Sequence, residues 1–187
     1  MSDPDEFELK LKVWARIQDG TASPEDHSLA VSWGEQSRAD YFATASLHDQ
    51  WMMQHGEGIL KCWPFPANQH TNSDYPLEQI LLFAVMYGKS EIENGCLDQF
   101  FGNHTGDFAP ETADGLELLG ARAASKIIRQ AMLLFGDSFP RERMTRQEML
   151  PALALELSSL SDAFFVALPS EKEFGNACDE LLKRSLT

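Results

Sequence analysis

Residues Ala124, Ile127, Ile128, Ala131, Leu134 and Phe135 fall three or four apart, the spacing that lines up one face of an α-helix. This period recurs along the chain and strand-like alternation is scarce. Phe7, Leu11 and Trp14 repeat it near the start. Leu153, Leu157, Leu160 and Phe164 repeat it later, and Phe174, Ala177, Cys178, Leu181 and Leu182 repeat it near the end. A chain built from such stripes folds by packing helix on helix.

The punctuation agrees with helices. Ser23 followed by Pro24 reads as a cap with proline in the first turn. Thr145 with Glu148, and Ser170 with Glu173, match the capping-box pattern. Gly120 and Gly136 read as helix stops. Tyr41, Phe42, Ala45 and Met52 suggest one helix ended by Gly56 and Gly58. Residues 59–74 read as a long loop pinned by Trp63 and Phe65. Asp74, Pro76 and Glu78 would open a buried helix through the apolar run from Ile80 to Tyr87, which is too short to span a bilayer. Pro110 and Glu111 would open the next helix. Pro151 is expected in a first turn or at a kink. The fold class is therefore all-α, a single-domain array of about eight helices. Residues 1–74 form an N-terminal helical region with a long loop, and 75–187 form the main helical domain.

The 187 residues carry a formal net charge of -14, with 43% hydrophobic residues. That balance speaks against direct nucleic-acid binding, which needs Lys and Arg to displace counterions. It suits a basic partner. The excess is localised. Residues 17–121 hold sixteen acids and three bases, Arg38, Lys61 and Lys89, whereas residues 122–187 hold nine of each. Between 90 and 121 there are seven acids, Glu91, Glu93, Asp98, Asp107, Glu111, Asp114 and Glu117, and no Lys or Arg. Glu111, Asp114 and Glu117 step by three along one helix, where like charges repel by ~0.2–0.5 kcal/mol per pair. Duplex DNA carries one charge per ~1.7 Å of axis, and a phosphate-binding protein would be attracted to such a carboxylate array.

Cys62, Cys96 and Cys178 are odd in number and far apart, which suggests neither a disulfide framework nor a zinc site. Reduced thiols and a cytoplasmic location are expected. The acidic N-terminus, MSDPDEFELK, does not read as a signal peptide. Cys96 reads as a small inward-facing residue, together with Ile92, Leu97, Phe100 and Phe101.

Within that acidic stretch the order Glu91, Asn94-Gly95, Gln99-Phe100-Phe101, Asn103 and Gly106 resembles the bacterial DNA-mimic protein family. The hallmark of that family is an acid, an Asn-Gly-Gly turn, a Gln-Phe-Phe cluster and an Asn-x-x-Gly loop. The Leu119-Gly120-Ala121 junction, the Leu134-Phe135 helix end, and Asp162 with Phe165 fit as well, so the resemblance spans roughly 75–186. The family's second glycine is Cys96 here, and a positive φ at Gly95 alone would suffice to break the helix. Asn94 and Asn103 read as backbone cappers. The resemblance implies an all-α, acidic, non-enzymatic homodimer without cofactor. Its carboxylates would occupy the DNA-binding face of a regulator or another nucleic-acid-binding protein. The dimer seam would come from helices after residue 122.

Two other functions are compatible with the residues. His27, the His48-Asp49 pair and a distant Asp (Asp74, Asp98 or Asp107) are the residue types of all-α metal-dependent phosphohydrolases, in which imidazole and carboxylate hold a water-activating metal. An acidic interaction or immunity-type protein for another basic partner needs only a negative surface. No GxSxG, P-loop, GxGxxG or HExxH motif is present, so nothing points to nucleophilic, nucleotide or zincin chemistry.

Overall fold

A computed structural model describes residues 4–61 and 75–186. Among these residues there are eight α-helices and one 3₁₀ turn, and no strand. The helices are α1 (Pro4–Asp19), α2 (Pro24–Thr44), α3 (Leu47–Lys61), α4 (Leu77–Gly102), α5 (Ala109–Leu118), α6 (Arg122–Leu133), α7 (Arg143–Ala167) and α8 (Glu171–Ser185), with the 3₁₀ turn at His104–Phe108. The protein is all-α, as the sequence period required. The chain divides into two compact units, Met1–Ala45 and Ser46–Thr187. The expected loop anchors Trp63 and Phe65, together with Cys62 and Asp74, lie outside the described residues.

The first unit is a helix pair, α1 and α2. Ser23 caps α2 through a full capping box with Asp26. Asp26 also accepts from Arg16 Nε at 2.9 Å and pairs with its Nη2, so one carboxylate caps α2 and clips it to α1. Leu11 and Trp14 are more than half exposed and Val13 is buried, which corrects the expected Leu11–Trp14 stripe. Hydrogen bonds from Arg16 and from the Ser23 backbone hold the Asp26 carboxyl well below the usual carboxylate range.

In the second unit α4 is central. It packs against α5, α7, α8, α3 and the 3₁₀ turn. Ile80, Leu82, Phe83, Ala84 and Val85 are buried all around the helix, and Phe83 packs at a tilt against Tyr87 and meets Phe108 edge-on. Gly115 lets α5 close on α4, because a Cβ there would collide with the Leu81 backbone and Val85. Where hydroxyls are buried they bond to backbone carbonyls: Thr112 to Ala84 at 3.0 Å and Ser125 to Ala113 at 2.7 Å. This meets the requirement that polar atoms taken from water find partners.

Several boundaries differ from the sequence reading. The expected helix across Tyr41 and Met52 breaks at Ala45, where Ser46 starts α3 by accepting from the Asp49 N–H. Gly56 and Gly58 lie inside α3, not at its end. Gly56 sits against the Phe83 ring, and a Cβ on Gly58 would meet the Tyr75 hydroxyl. Glu142, not Thr145, caps α7, its carboxylate accepting from the Met144 and Thr145 N–H groups. Pro151 is interior to α7 and exposed. The Ser170–Glu173 box and the left-handed stops at Gly120 and Gly136 are as expected.

The Asn-Gly break is present, one residue later than expected. Gly95 has φ -159° and ψ 31°, whereas Cys96 has φ 64° and ψ -174°. The flip changes the helix phase, so the buried series runs Ile92, Leu97, Phe100, Phe101, and Cys96 turns to solvent. Cys96 is therefore exposed and not a core residue. The Leu97 N–H, displaced from regular helix geometry, donates to Ser161 Oγ on α7 at 3.0 Å.

Two outcomes follow from these local structures. A depressed carboxyl stabilises the fold above the usual aspartate range, and that contribution is lost as pH falls through the folded value. The protection of α1 and α2 amides against hydrogen exchange, relative to their intrinsic rates, should therefore fall below about pH 4, and in Asp26→Asn it should be low already at neutral pH and lose this acid dependence. Cys96 occupies backbone space that glycine favours, at a cost of about 1–3 kcal/mol. Cys96→Gly should raise unfolding stability by about 1 kcal/mol in urea titration once the extra chain entropy of glycine is subtracted. Cys96→Ala, which keeps the strain, should change it little.

Candidate functional site

Glu91 lies on the α4 turn before the kink and Gln99 on the turn after it. Gln99 Nε2 donates to Glu91 Oε1 at 2.7 Å, and Asn103 Nδ2 donates to the same oxygen. The motif acid thus bridges the kink, and Asn103 binds a side chain instead of capping backbone. Gly95 is needed beneath this bridge, because any Cβ would overlap the Gln99 side chain. Asn94 is exposed beside it.

The next layer is organised by Arg146, which is 0% exposed. Its Nε donates to the Phe101 carbonyl at 2.8 Å. Nη1 donates to the carbonyls of Pro140, at 3.1 Å, and Arg141. Nη2 donates to the Asn103 carbonyl at 2.9 Å and to Asp107 Oδ1. Phe139 lies under the guanidinium, 5.8 Å from its centre. Gly106 permits this approach: a Cβ there would press on the Phe100 carbonyl, Phe101 Cα and Arg146 Nε. Phe100 and Phe101 are buried edge to face, and Phe101 continues into Phe135 and Phe139.

The seven carboxylates of 90–121 divide sharply once placed. Glu111 is 8% exposed by its side chain and is held by Arg141 through two parallel bonds of 2.9 and 2.8 Å. Asp107 is held by Arg146, with His104 Nδ1 at 3.8 Å. These two are internal ion pairs, which removes them from the expected surface array. Glu91 is occupied by the motif bridge. Glu93 accepts from Lys89 Nζ at 2.6 Å, and Lys89 also reaches Glu171 and lies over the Phe174 ring. Burial opposes the Lys89 charge, but the bonds to Glu93 and Glu171 outweigh it and raise its pKa above the usual lysine value. Asp114 and Glu117 share one exposed face of α5, 54% and 57% open, with Arg129 Nη2 between them at 2.7 and 3.2 Å. Asp98 is exposed and makes no ion pair among the described residues. Glu111 does not share the face of its two neighbours, because α5 turns it inward.

The sequence reading missed Arg129, Arg141 and Arg146 as the counter-charges. Arg146 was legible: it stands seven residues before Leu153, on the same line as Leu150 and Leu157, so an arginine had to enter the core.

Of the hydrolase candidates, His48, Asp49 and Asp107 are engaged in other contacts. His48 Nδ1 contacts Asp179 Oδ1 at 2.5 Å, and the His48 N–H donates to the same atom. The Ser46 hydroxyl lies 3.2 Å from His48 Nε2 and donates to Asp49 at 2.6 Å. This cluster joins α3 to α8. His27 belongs to the first unit. Among the described residues, no three His, Cys, Asp or Glu side chains are grouped to hold a metal. Burial, reinforced by Asp179, pushes the Cys178 thiol up to about 12, far from a reactive thiolate.

The model of the DMP19-like protein family matches residues 73–184. The chain belongs to the DMP19-like family. The match covers α4 to α8 almost completely, close to the 75–186 anticipated from the motif. No curated protein and no solved structure matches the chain. In this DMP19-like chain the motif residues Glu91, Gly95, Gln99, Phe100, Phe101, Asn103 and Gly106 are architectural.

Removing one member of a buried, hydrogen-bonded charge pair costs about 3–5 kcal/mol. Arg146→Met should destabilise by that order in urea titration. Arg146→Lys should recover little, because three ammonium donors cannot replace five guanidinium donors in fixed directions.

Proposed function

We propose that this protein is a non-enzymatic, acidic binding protein that mimics DNA toward a basic DNA-binding protein such as a transcriptional regulator. Membership of the DMP19-like family carries the reading. The matched region holds eighteen acids against ten bases, a net of -8, so internal pairing leaves a clear excess. Glu93, Asp98, Asp114 and Glu117 are the carboxylates of 90–121 that remain at the surface. They would supply long-range attraction and register, as phosphates do, with little base-like specificity.

Arg129 modulates this face. It neutralises part of the Asp114–Glu117 charge while fixing both side chains on α5. A basic partner would compete with Arg129 for them.

The test is capture of a DNA-binding protein by the full chain, released by salt and competed by duplex DNA. Asp114→Asn/Glu117→Gln should weaken capture at least several-fold, and Arg129→Gln should strengthen it. Glu57→Gln, an exposed acid on α3, should have little effect. Retention of no basic protein at low salt would sink the reading. A basic partner indifferent to duplex DNA would instead indicate an interaction or immunity-type role.

A further inference from the structure

The outward face of α7 carries a line of uncovered apolar side chains. Met144 is 60% exposed, Leu155 82% and Val166 88%. They are spaced eleven residues apart, three helical turns, so they stand nearly above one another. Exposed Pro151 and half-exposed Phe165 widen the line. The opposite face holds the core contacts Arg146, Leu157, Ser161 and Phe164, so the outer line plays no part in the packing of this unit. Glu148 and Asp162 fall on the same line between them, so the face alternates apolar and acidic side chains, and apolar side chains grouped on one exposed face often mark a binding surface.

The charges within and beside this line select the occupant. Glu148, Glu156 and Asp162 are all exposed, and no Lys or Arg occurs from 147 to 167. A second copy fits poorly. In an antiparallel pair centred on Leu155, Met144 would meet Val166, but Glu148 would meet Asp162. In a parallel pair each carboxylate would meet its own copy. Neither arrangement supplies a base from the strip, and like charges held together across an interface oppose association. An anionic membrane surface is repelled for the same reason. A helix that presents apolar side chains with Lys or Arg among and beside them satisfies both features, since its apolar side chains cover Met144, Leu155 and Val166 while its bases meet Glu148, Glu156 and Asp162.

We infer that α7 is a docking surface for a basic amphipathic helix of a protein partner. This surface is distinct from the Asp114–Glu117 face and does not depend on DNA mimicry.

The probe is a labelled eighteen-residue Leu/Lys peptide with leucines at i, i+3, i+4 and i+7, compared with a scrambled peptide of equal composition. Fluorescence anisotropy with the full chain should show at least ten-fold tighter binding of the amphipathic peptide. Leu155→Ser/Val166→Ser should abolish that preference. Both residues are solvent-facing, and circular dichroism checks that the variant is folded. Glu148→Gln/Glu156→Gln/Asp162→Asn should weaken binding and flatten its salt dependence, whereas Glu57→Gln should leave it nearly unchanged. Absent binding, or equal binding of both peptides with no effect of the serine variant, overturns the inference. So does a sedimenting dimer that the serine variant converts to monomer, which would show a second copy on this face. Vesicle co-sedimentation lost in the serine variant would overturn it in favour of a lipid surface.

Discussion

A guanidinium removed from water must have nearly all of its donors met, because the solvation it gives up is worth several kcal/mol. Arg146 meets that condition with five acceptors in the second unit: the carbonyls of Phe101 at the end of α4, of Asn103 just before the 3₁₀ turn and of Pro140 and Arg141 before α7, and the Asp107 carboxylate within the turn. Four of these are loop or helix-end carbonyls. The α4–α5 connection and the entry to α7 are therefore fixed by one side chain. The Phe101–Phe135–Phe139 cluster closes over the same point and keeps water away from it. Glycine at 106 is a consequence of this arrangement, since the turn must lie against both α4 and the guanidinium.

The kink in α4 serves the same geometry. A straight helix would carry Ile92 into Cys96 and Phe100 on one line. The flip at Cys96 advances the buried series by one residue, and Leu97, Phe100 and Phe101 enter the core beside α7. The disturbed backbone has partners on both sides: Ser161 accepts from the Leu97 N–H, and Glu91 ties the two halves through Gln99 and Asn103. Strain at one residue is tolerated because several contacts determine its conformation together. Glycine would adopt that conformation without strain, and this chain has cysteine.

What could be read from the sequence was whatever is local. Ser23 and Ser170 caps, the Gly120 and Gly136 stops and the apolar α4 run depend on neighbours within four residues, and each is present. The errors share the opposite character. Gly56 and Gly58 looked like terminators, but their use is close packing on Phe83 and Tyr75, contacts made by distant residues. The charge partition was the largest such case. Residues 90–121 contain no base, yet Lys89, Arg129, Arg141 and Arg146 bring one to Glu93, Asp114, Glu117, Glu111 and Asp107. Charge separated along a chain need not be separated in space, because the packing of helices and their connections brings distant segments side by side.

That distinction bears on how an acidic protein can be specific. Net charge sets attraction at range, but an array of freely moving carboxylates offers no register and must be ordered on binding, at an entropic cost. Arginine placed between two acids removes part of the charge and restricts both side chains. Asp114 and Glu117 sit on α5, whose close contact with α4 at Gly115 fixes the helix itself. The Arg129 pair is exposed, so its direct contribution to stability is small. Its physical consequence lies in geometry: two carboxylates are held at a set spacing on a fixed helix, with a counter-charge that an incoming guanidinium or ammonium group can displace.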